Sequence, residues 1–402
     1  MSLRRCCSIA IVTLGLAGGA DAQVVRTWDG EDSTNFFDVG ENWSGNVTPG
    51  ALDTARFTSP FTGTYSVLWD DFTGNRTTAT VEVLAGDVTF RRDSGAPRTY
   101  TVTNATINAG RLQLNDITLA FGGTMTVNNN GRLDINAAGT IAGGSSSSLV
   151  LAGGGQVFLS AGRLTANSIT ASSGFNFAGG TLVTPNFTGP LTQDGGTLSP
   201  GDVGVRDAMT IAQGYAMTAG TFAADLVGTN TDQLIVGGPV SLAGALSLNN
   251  ISFPTTLGTS RILVDGTSVT GRFATVEGLE LTPNRYAAVT YTASQALMTV
   301  ALPGDATLSA GVGFPDLVLL AQNYNLNGRT WSTADFDGDG TSGFSDLVLL
   351  AQNYGLTSLG LPDGASADFA ADWALAQSMI PEPTLMLAWP LVMTIARRRR
   401  PM

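Results

Sequence analysis

The sequence predicts a mainly β protein, with a parallel β-helix or solenoid body, a small two-helix module after it and an apolar helix at the C-terminus. Three observations predict it. Short Gly-x-apolar turns recur through the middle of the chain at a spacing of about twenty residues, the scale of one solenoid coil. Between the turns apolar and polar residues alternate, and no helical run of useful length lies between residues 24 and 302. Near the C-terminus, Asp316-Leu-Val-Leu-Leu-Ala-Gln-Asn-Tyr324 recurs letter for letter as Asp346-Leu-Val-Leu-Leu-Ala-Gln-Asn-Tyr354.

Residues 1–22 read as a secretory signal peptide. Arg4 and Arg5 supply the charged start, residues 6–20 the short apolar run, and Ala20-Asp21-Ala22 the small-x-small cleavage site ahead of Gln23. The run is too short for a stable membrane span. Residues 23–60 are expected to cap the solenoid, with Trp28 and Trp43 either gathered over the first coil, the favoured reading, or contacting sugar.

Residues 61–302 carry the repeat. Its turns are Gly110-Arg-Leu112, Gly131-Arg-Leu133, Gly162-Arg-Leu164, Gly180-Thr-Leu182, Gly196-Thr-Leu198, Gly220-Thr-Phe222 and Gly244-Ala-Leu246, separated by 21, 31, 18, 16, 24 and 24 residues. Period-two segments such as Leu112-Gln-Leu-Asn and Leu133-Asp-Ile-Asn read as short half-buried strands, each coil burying its inward Leu, Ile and Val against the next. A sandwich-like stretch over 250–302 is compatible with the same pattern.

Residues 303–356 hold the duplication, and each copy closes a loop. The second loop opens Asp335-Phe-Asp337-Gly-Asp339-Gly340 and closes at Asp346, so carboxylates stand at loop positions 1, 3, 5 and 12 with glycine at 6. Calcium takes about six to eight oxygens at about 2.3–2.6 Å, and alternating carboxylates on a tight turn supply them. Asp335, Asp337, Asp339 and Asp346 are the candidate ligands, joined by the Thr341 carbonyl at position 7; position 9 is Gly343, which leaves that place to water. In the first loop the corresponding residues are Asp305, Thr307, Ser309 and Ala310, ahead of Asp316. With only two carboxylates, that site is expected to bind calcium weakly or not at all. After the loops, Leu317, Leu320 and Ala321, then Leu347, Leu350 and Ala351, recur at helical spacing and are expected to bury one face of each helix against the other. So small a module is marginal alone, and a metal is a common way to stabilise it.

Two loops closed by Asp, each leading into Asp-Leu-x-x-Leu-x-x-Asn-Tyr, resemble a dockerin type I domain. The resemblance implies an EF-hand-type repeat that folds around calcium and docks onto a cohesin-like protein. Phe314-Pro315 and Phe344-Ser345 stand where cohesin-reading members carry small polar pairs, which argues against the usual partner class.

Residues 357–379 read as a linker, and residues 380–402 as a membrane-sorting segment. The tail runs Ile380-Pro-Glu-Pro383, an apolar stretch over 384–396, then Arg397 to Arg400. It closely resembles a PEP-CTERM sorting signal, and the resemblance implies export, transient membrane association and recognition by an exosortase-type processing enzyme. The thirteen apolar residues, at about 1.5 Å each, fall short of a hydrocarbon core of about 30 Å, and the arginines are expected to snorkel and hold the segment.

Two further stretches resemble autotransporter-like solenoids. One comprises Thr27-Trp28-Asp-Gly30, Asn42-Trp43, Pro49-Gly50 and Asp53-Thr-Ala-Arg-Phe57; the other comprises Gly195-Gly-Thr-Leu-Ser-Pro-Gly201, Asp232-Gln-Leu-Ile-Val and Gly271-Arg-Phe273. This resemblance implies a fold and a setting at the surface of a Gram-negative-type bacterium, and no catalytic residue.

Composition narrows the chemistry. All 20 cations are Arg, against 32 acids, and His is absent. Setting aside 1–22 (Arg4, Arg5, Asp21) and 381–402 (Arg397 to Arg400, Glu382) leaves 14 Arg against 30 acids. So acidic a chain is not expected to bind nucleic acid through phosphate neutralisation. Both cysteines, Cys6 and Cys7, fall in the leader, so the mature chain has no disulfide. Without His, Ser-His-Asp and Cys-His machinery and His-based zinc sites are excluded.

The expected protein is therefore non-enzymatic, exported and calcium-binding, with a structural or adhesive role at the cell surface, on the outer membrane or in the extracellular matrix, and with extracellular polysaccharide as a compatible partner. The alternatives are a carbohydrate-active enzyme, a lyase or hydrolase, on a β-helix, and a cohesin-docking scaffold component. Paired carboxylates such as Asp70 with Asp71 or Glu277 with Glu280 are the candidates for the enzyme reading, but no pattern supports them and surface solvation is the favoured explanation.

Overall fold

The computed structural model describes residues 23–356, apart from 33, 59–62, 71, 73 and 203–206. The predicted signal peptide, linker and sorting tail, together with Asp71, lie outside the described residues. Among those described, the chain is mainly β with long parallel sheets and two α-helices, and no helix is long and apolar enough to cross a membrane.

Strands follow one another in threes. Arg111–Asn115, Ile117–Phe121 and Thr124–Asn128 are followed by Arg132–Asn136, Thr140–Gly143 and Ser148–Leu151, then by Gln156–Leu159, Arg163–Thr165 and Ser168–Thr170. Each strand pairs in parallel with its counterpart one set earlier. The registers stack Leu112 on Leu133 on Val157, Leu119 on Ile141 on Leu164, and Met125 on Leu149 on Ile169. All nine side chains are fully buried. Alternation therefore sends every second residue into one continuous core, where each Leu or Ile gains about 1.5–3 kcal/mol over exposure. The arrangement is compatible with the expected solenoid.

One sequence expectation changes. The Gly-x-apolar turns form two series, not one. Leu112 and Leu133 belong to a ten-stranded parallel sheet running from Thr64–Trp69 to Ser268–Gly271. Leu164, Leu182, Leu198, Phe222 and Leu246 stack on one another in the other large sheet. The interval of 31 residues between Gly131 and Gly162 marks the change of column. In the second series the glycines are obligatory. Gly162, Gly180, Gly196, Gly220 and Gly244 all have φ between +62° and +89°. A Cβ on Gly196 would lie 2.5 Å from the Gly180 carbonyl oxygen, and one on Gly220 2.5 Å from that of Gly196.

The N-terminal segment is a cap of aromatic rings. Trp28 and Trp43 meet edge to face at 5.1 Å, and Phe37 lies 5.0 Å from Trp43 and 5.1 Å from Trp69. Both Trp28 and Trp43 are fully buried, and the Trp43 Nε1–H donates to the Phe37 carbonyl at 2.7 Å. These rings thus pack over the first strands and present no face to a sugar.

At the far end the parallel pattern gives way to an antiparallel meander. Ser260–Asp265 and Arg285–Tyr291 both pair antiparallel with Gln295–Ala301, and Glu280–Thr282 pairs antiparallel with Arg285–Tyr291. The two helices, α1 (Phe314–Asn323) and α2 (Phe344–Asn353), follow. Their core contains Leu320, Leu347, Leu350, Trp331 and Phe336 and is continuous with Ala288, Ala301 and Leu302 of the meander.

Candidate metal centre

The loop before each helix is shaped by its closing aspartate. Asp316 and Asp346 are the third helical residues, and each Oδ2 accepts the amide of the glycine ahead of the helix, Gly313 at 2.9 Å and Gly343 at 2.7 Å. A carboxylate there satisfies one of the free first-turn amides and faces the positive end of the helix dipole. The repeats also interlock. The Asn325 amide donates to the Ser342 carbonyl at 2.7 Å, and thirty residues on, the Gly355 amide donates to the Val312 carbonyl at 2.8 Å.

In the second loop, Asp335, Asp337 and Asp346 each offer a carboxylate oxygen, and the three lie within 4.8 Å of one another. The Asp335 Oδ1 accepts the Gly338 amide at 2.9 Å and its Oδ2 the Gly340 amide at 3.1 Å. The Asp346 Oδ1 accepts the amides of Phe336 at 2.6 Å and Asp337 at 3.2 Å. The Asp337 Oδ1 takes the Asp339 amide at 3.2 Å, and the Asp339 Oδ1 the Thr341 amide at 2.7 Å. The chain is thereby wound into a turn on which the carboxylates of Asp335, Asp337 and Asp346 converge.

The electrostatics of this cluster are unfavourable as it stands. Asp335 and Asp346 are buried, and among the described residues no Arg forms an ion pair with either, or with Asp337 or Asp339. Burial, then the neighbouring Asp346 carboxylate, pushes Asp335 up to about 7. Burial likewise pushes Asp346 up to about 6 despite the amides it accepts. Close acids with no ion-paired Arg among the described residues could hold a metal ion. An all-oxygen set suits hard divalent cations as a class.

The first loop has the same winding and a different centre. The Asp305 carboxylate accepts the amides of Ser309 and Ala310, both at 2.9 Å, and the Asp316 Oδ1 accepts the Thr307 amide at 3.0 Å. Between the two acids sits the Thr307 hydroxyl, 2.9 Å from Asp316 Oδ1 and 3.3 Å from Asp305 Oδ1. Ser309 turns its hydroxyl to the Gly311 carbonyl at 3.2 Å. Asp305 is raised as well, by burial first, although its amide donors oppose the rise. A neutral hydroxyl thus occupies the place that Asp337 takes in the second loop.

The structure brings Asp335, Asp337 and Asp346 together, with Asp339 exposed at the rim and Thr341 in the short strand Thr341–Ser342, paired with Leu326–Asn327. Of the predicted helix faces, Leu320, Leu347, Leu350 and Ala351 are buried and Leu317 is partly so, but Ala321 is exposed. α2 is the inner helix and α1 the outer one. Trp331 carries a role that sequence reading did not assign. Its Nε1–H donates to the Asp305 carbonyl at 2.7 Å and its ring meets Phe336 at 5.2 Å, tying the two loops together. Its place between the loops, outside either repeat, was the available signal. No known family model, curated protein or solved structure matches the chain.

Proposed function

We propose that this chain is a non-enzymatic, exported, calcium-binding protein of a bacterial cell surface or extracellular matrix, with a structural or adhesive role. In this reading the stacked parallel strands are a β-solenoid stalk, residues 303–356 are a dockerin-like module, and a PEP-CTERM-type tail is handed to an exosortase-type enzyme. The observation that carries the calcium part is the trio Asp335, Asp337 and Asp346, two of them buried, with oxygens within 4.8 Å of one another and no Arg ion-paired to them among the described residues. The residues that would hold the ion are these three with Asp339 and the Thr341 carbonyl. The ion would supply the positive charge that the loop lacks, and with it the folding energy of the module. The structural role is supported by a body whose apolar side chains fill its interior and by the absence of His from the sequence. Extracellular polysaccharide is the proposed partner of the body, and a cohesin-like protein that of the module.

The test uses the full chain. Calorimetric titration with calcium is expected to give one tight site per chain, lost in Asp337→Ala. A panel of neutral and acidic polysaccharides is expected to retain the protein without release of new sugar ends. New reducing or unsaturated ends would make the body an enzyme, and a silent titration would remove calcium from the reading.

A further inference from the structure

We infer that the second loop is the C-terminal cap of the β body, and that the ion bound in it fastens the cap; the ion's part rests on the calcium reading above, the cap's part does not. The starting observation is Gly338. It holds position 4 of the loop, which supplies no ligand, and the first loop has Leu308 at that place. The loop winding puts this position at positive φ in both copies, +54° at Leu308 and +78° at Gly338, so it favours glycine there, yet the first copy shows that the winding alone does not require one.

The β body does require one. Val276 lies in Thr275–Glu277, which pairs on one side with Ala245–Asn250. On the open side its amide donates to the Gly338 carbonyl at 2.8 Å. A Cβ on Gly338 would fall against the Val276 carbonyl oxygen and lie 2.7 Å from the Leu279 Cδ1; a Cβ on Gly340 would lie 2.5 Å from the Ala274 carbonyl oxygen. Both glycines have positive φ, +78° and +85°. The loop backbone thus lies directly on the backbone of 274–276, covering an edge that otherwise presents an unpaired amide to any extended chain.

The same two glycines are the ones that Asp335 holds. Gly338 receives Val276 at its carbonyl and gives its amide to Asp335, the first ligand; Gly340 gives its amide to the other oxygen of that carboxylate. An ion that neutralises Asp335, Asp337 and Asp346 keeps this turn closed. Without it, three close carboxylates repel, the turn opens, and Val276 loses its partner.

Hydrogen exchange of the full chain tests both parts. Calcium is expected to slow exchange in the peptide over 274–279 by about tenfold, equivalent to about 1.4 kcal/mol, while the interior strand Ile117–Phe121 is unchanged. Gly338→Ala is expected to speed exchange over 274–279 with or without calcium while helical circular dichroism persists. Calcium protecting 335–346 but leaving 274–279 untouched would overturn the coupling and spare the calcium reading. Protection of 274–279 unaltered by Gly338→Ala would overturn the cap itself. No calcium effect anywhere, with no heat of binding, would sink the calcium reading and the ion's part together, leaving the Gly338→Ala result to decide the cap.

Discussion

The two loops of residues 303–356 share a backbone trace and differ in how their paired acids are reconciled. In the first, the Thr307 hydroxyl sits between Asp305 and Asp316 and the loop is closed by protein atoms alone. In the second, Asp337 takes that position and adds a third negative charge beside Asp335, which burial first and the Asp346 carboxylate next push up to about 7. The exchange of Thr307 for Asp337 at loop position 3, with Ser309 for Asp339 at position 5, separates a turn closed by protein atoms from one that, in the reading proposed above, an ion completes.

The largest effect expected from this contrast is on calcium affinity. Asp335→Ala removes the first ligand and the acceptor of two loop amides, and should weaken calcium binding by about a hundredfold or more, beyond what loss of an outer-shell partner does. Asp305→Ala should leave the calcium isotherm in place. Equal losses in the two variants, measured by calorimetry, would break the distinction between the loops.

Acid should replace the ion. Folded Asp335 and Asp346 titrate near 7 and 6, against about 3.9 for an unfolded Asp. Between those values the folded chain binds more protons than the unfolded one, so stability of the calcium-free protein falls as pH rises from about 4 to about 7. The loss is on the order of a few kcal/mol, and saturating calcium should flatten it by supplying the charge that protons supply at low pH. Thermal melts of the helical signal in chelator, between pH 4.5 and 7.5, check the slope. A melting temperature that rises with pH in chelator would show that the acids are compensated by something else.

Exchanging the central residue should convert one loop toward the other. Thr307→Val removes the hydroxyl between two buried acids and should cost about 1–3 kcal/mol. The double variant Thr307→Asp, Ser309→Asp restores the carboxylates of the second loop and should raise calcium stoichiometry from one to two. Stoichiometry fixed at one would mean that the first loop lacks more than charge.

Much of this was legible in the sequence because the signals were local. Alternation marked the strands, and the duplicated Asp-to-Tyr segment marked both helices and both loop ends. What stayed hidden depends on neighbours distant in sequence. Ala321 and Ala351 sit in identical nine-residue strings, yet one is exposed and the other buried, because α2 is the inner helix. The two columns of Gly-x-apolar turns read alike, since a period of two says which residues point inward but not which sheet they join. Trp28 and Trp43 left two readings open until their burial closed one. Thr307 passed for a missing ligand, and its role as a replacement needed the distances to both acids.

The smallest effect comes from the first loop's backbone. Ala310 has φ +63° and Leu308 φ +54°, where the second loop has glycines at the matching places. The second loop needs Gly340 and Gly338 because carbonyls of 274 and 276 press against them. No such constraint explains Ala310, whose left-handed conformation crowds Cβ against its own backbone at a cost of about 1–2 kcal/mol. Ala310→Gly removes that strain and gives part of it back as unfolded-chain entropy, so a net gain of about 0.5–1 kcal/mol is expected. Leu308→Gly should do worse, because Leu308 also packs on the module's core and its side chain would be lost. Denaturation midpoints of the two variants in chelator separate the terms: stabilisation by Ala310→Gly with destabilisation by Leu308→Gly places strain in the backbone and packing in the side chain. Destabilisation by both would mean that the Ala310 methyl, too, makes contacts the loop relies on, and that the first copy has been refined around its non-glycine residues.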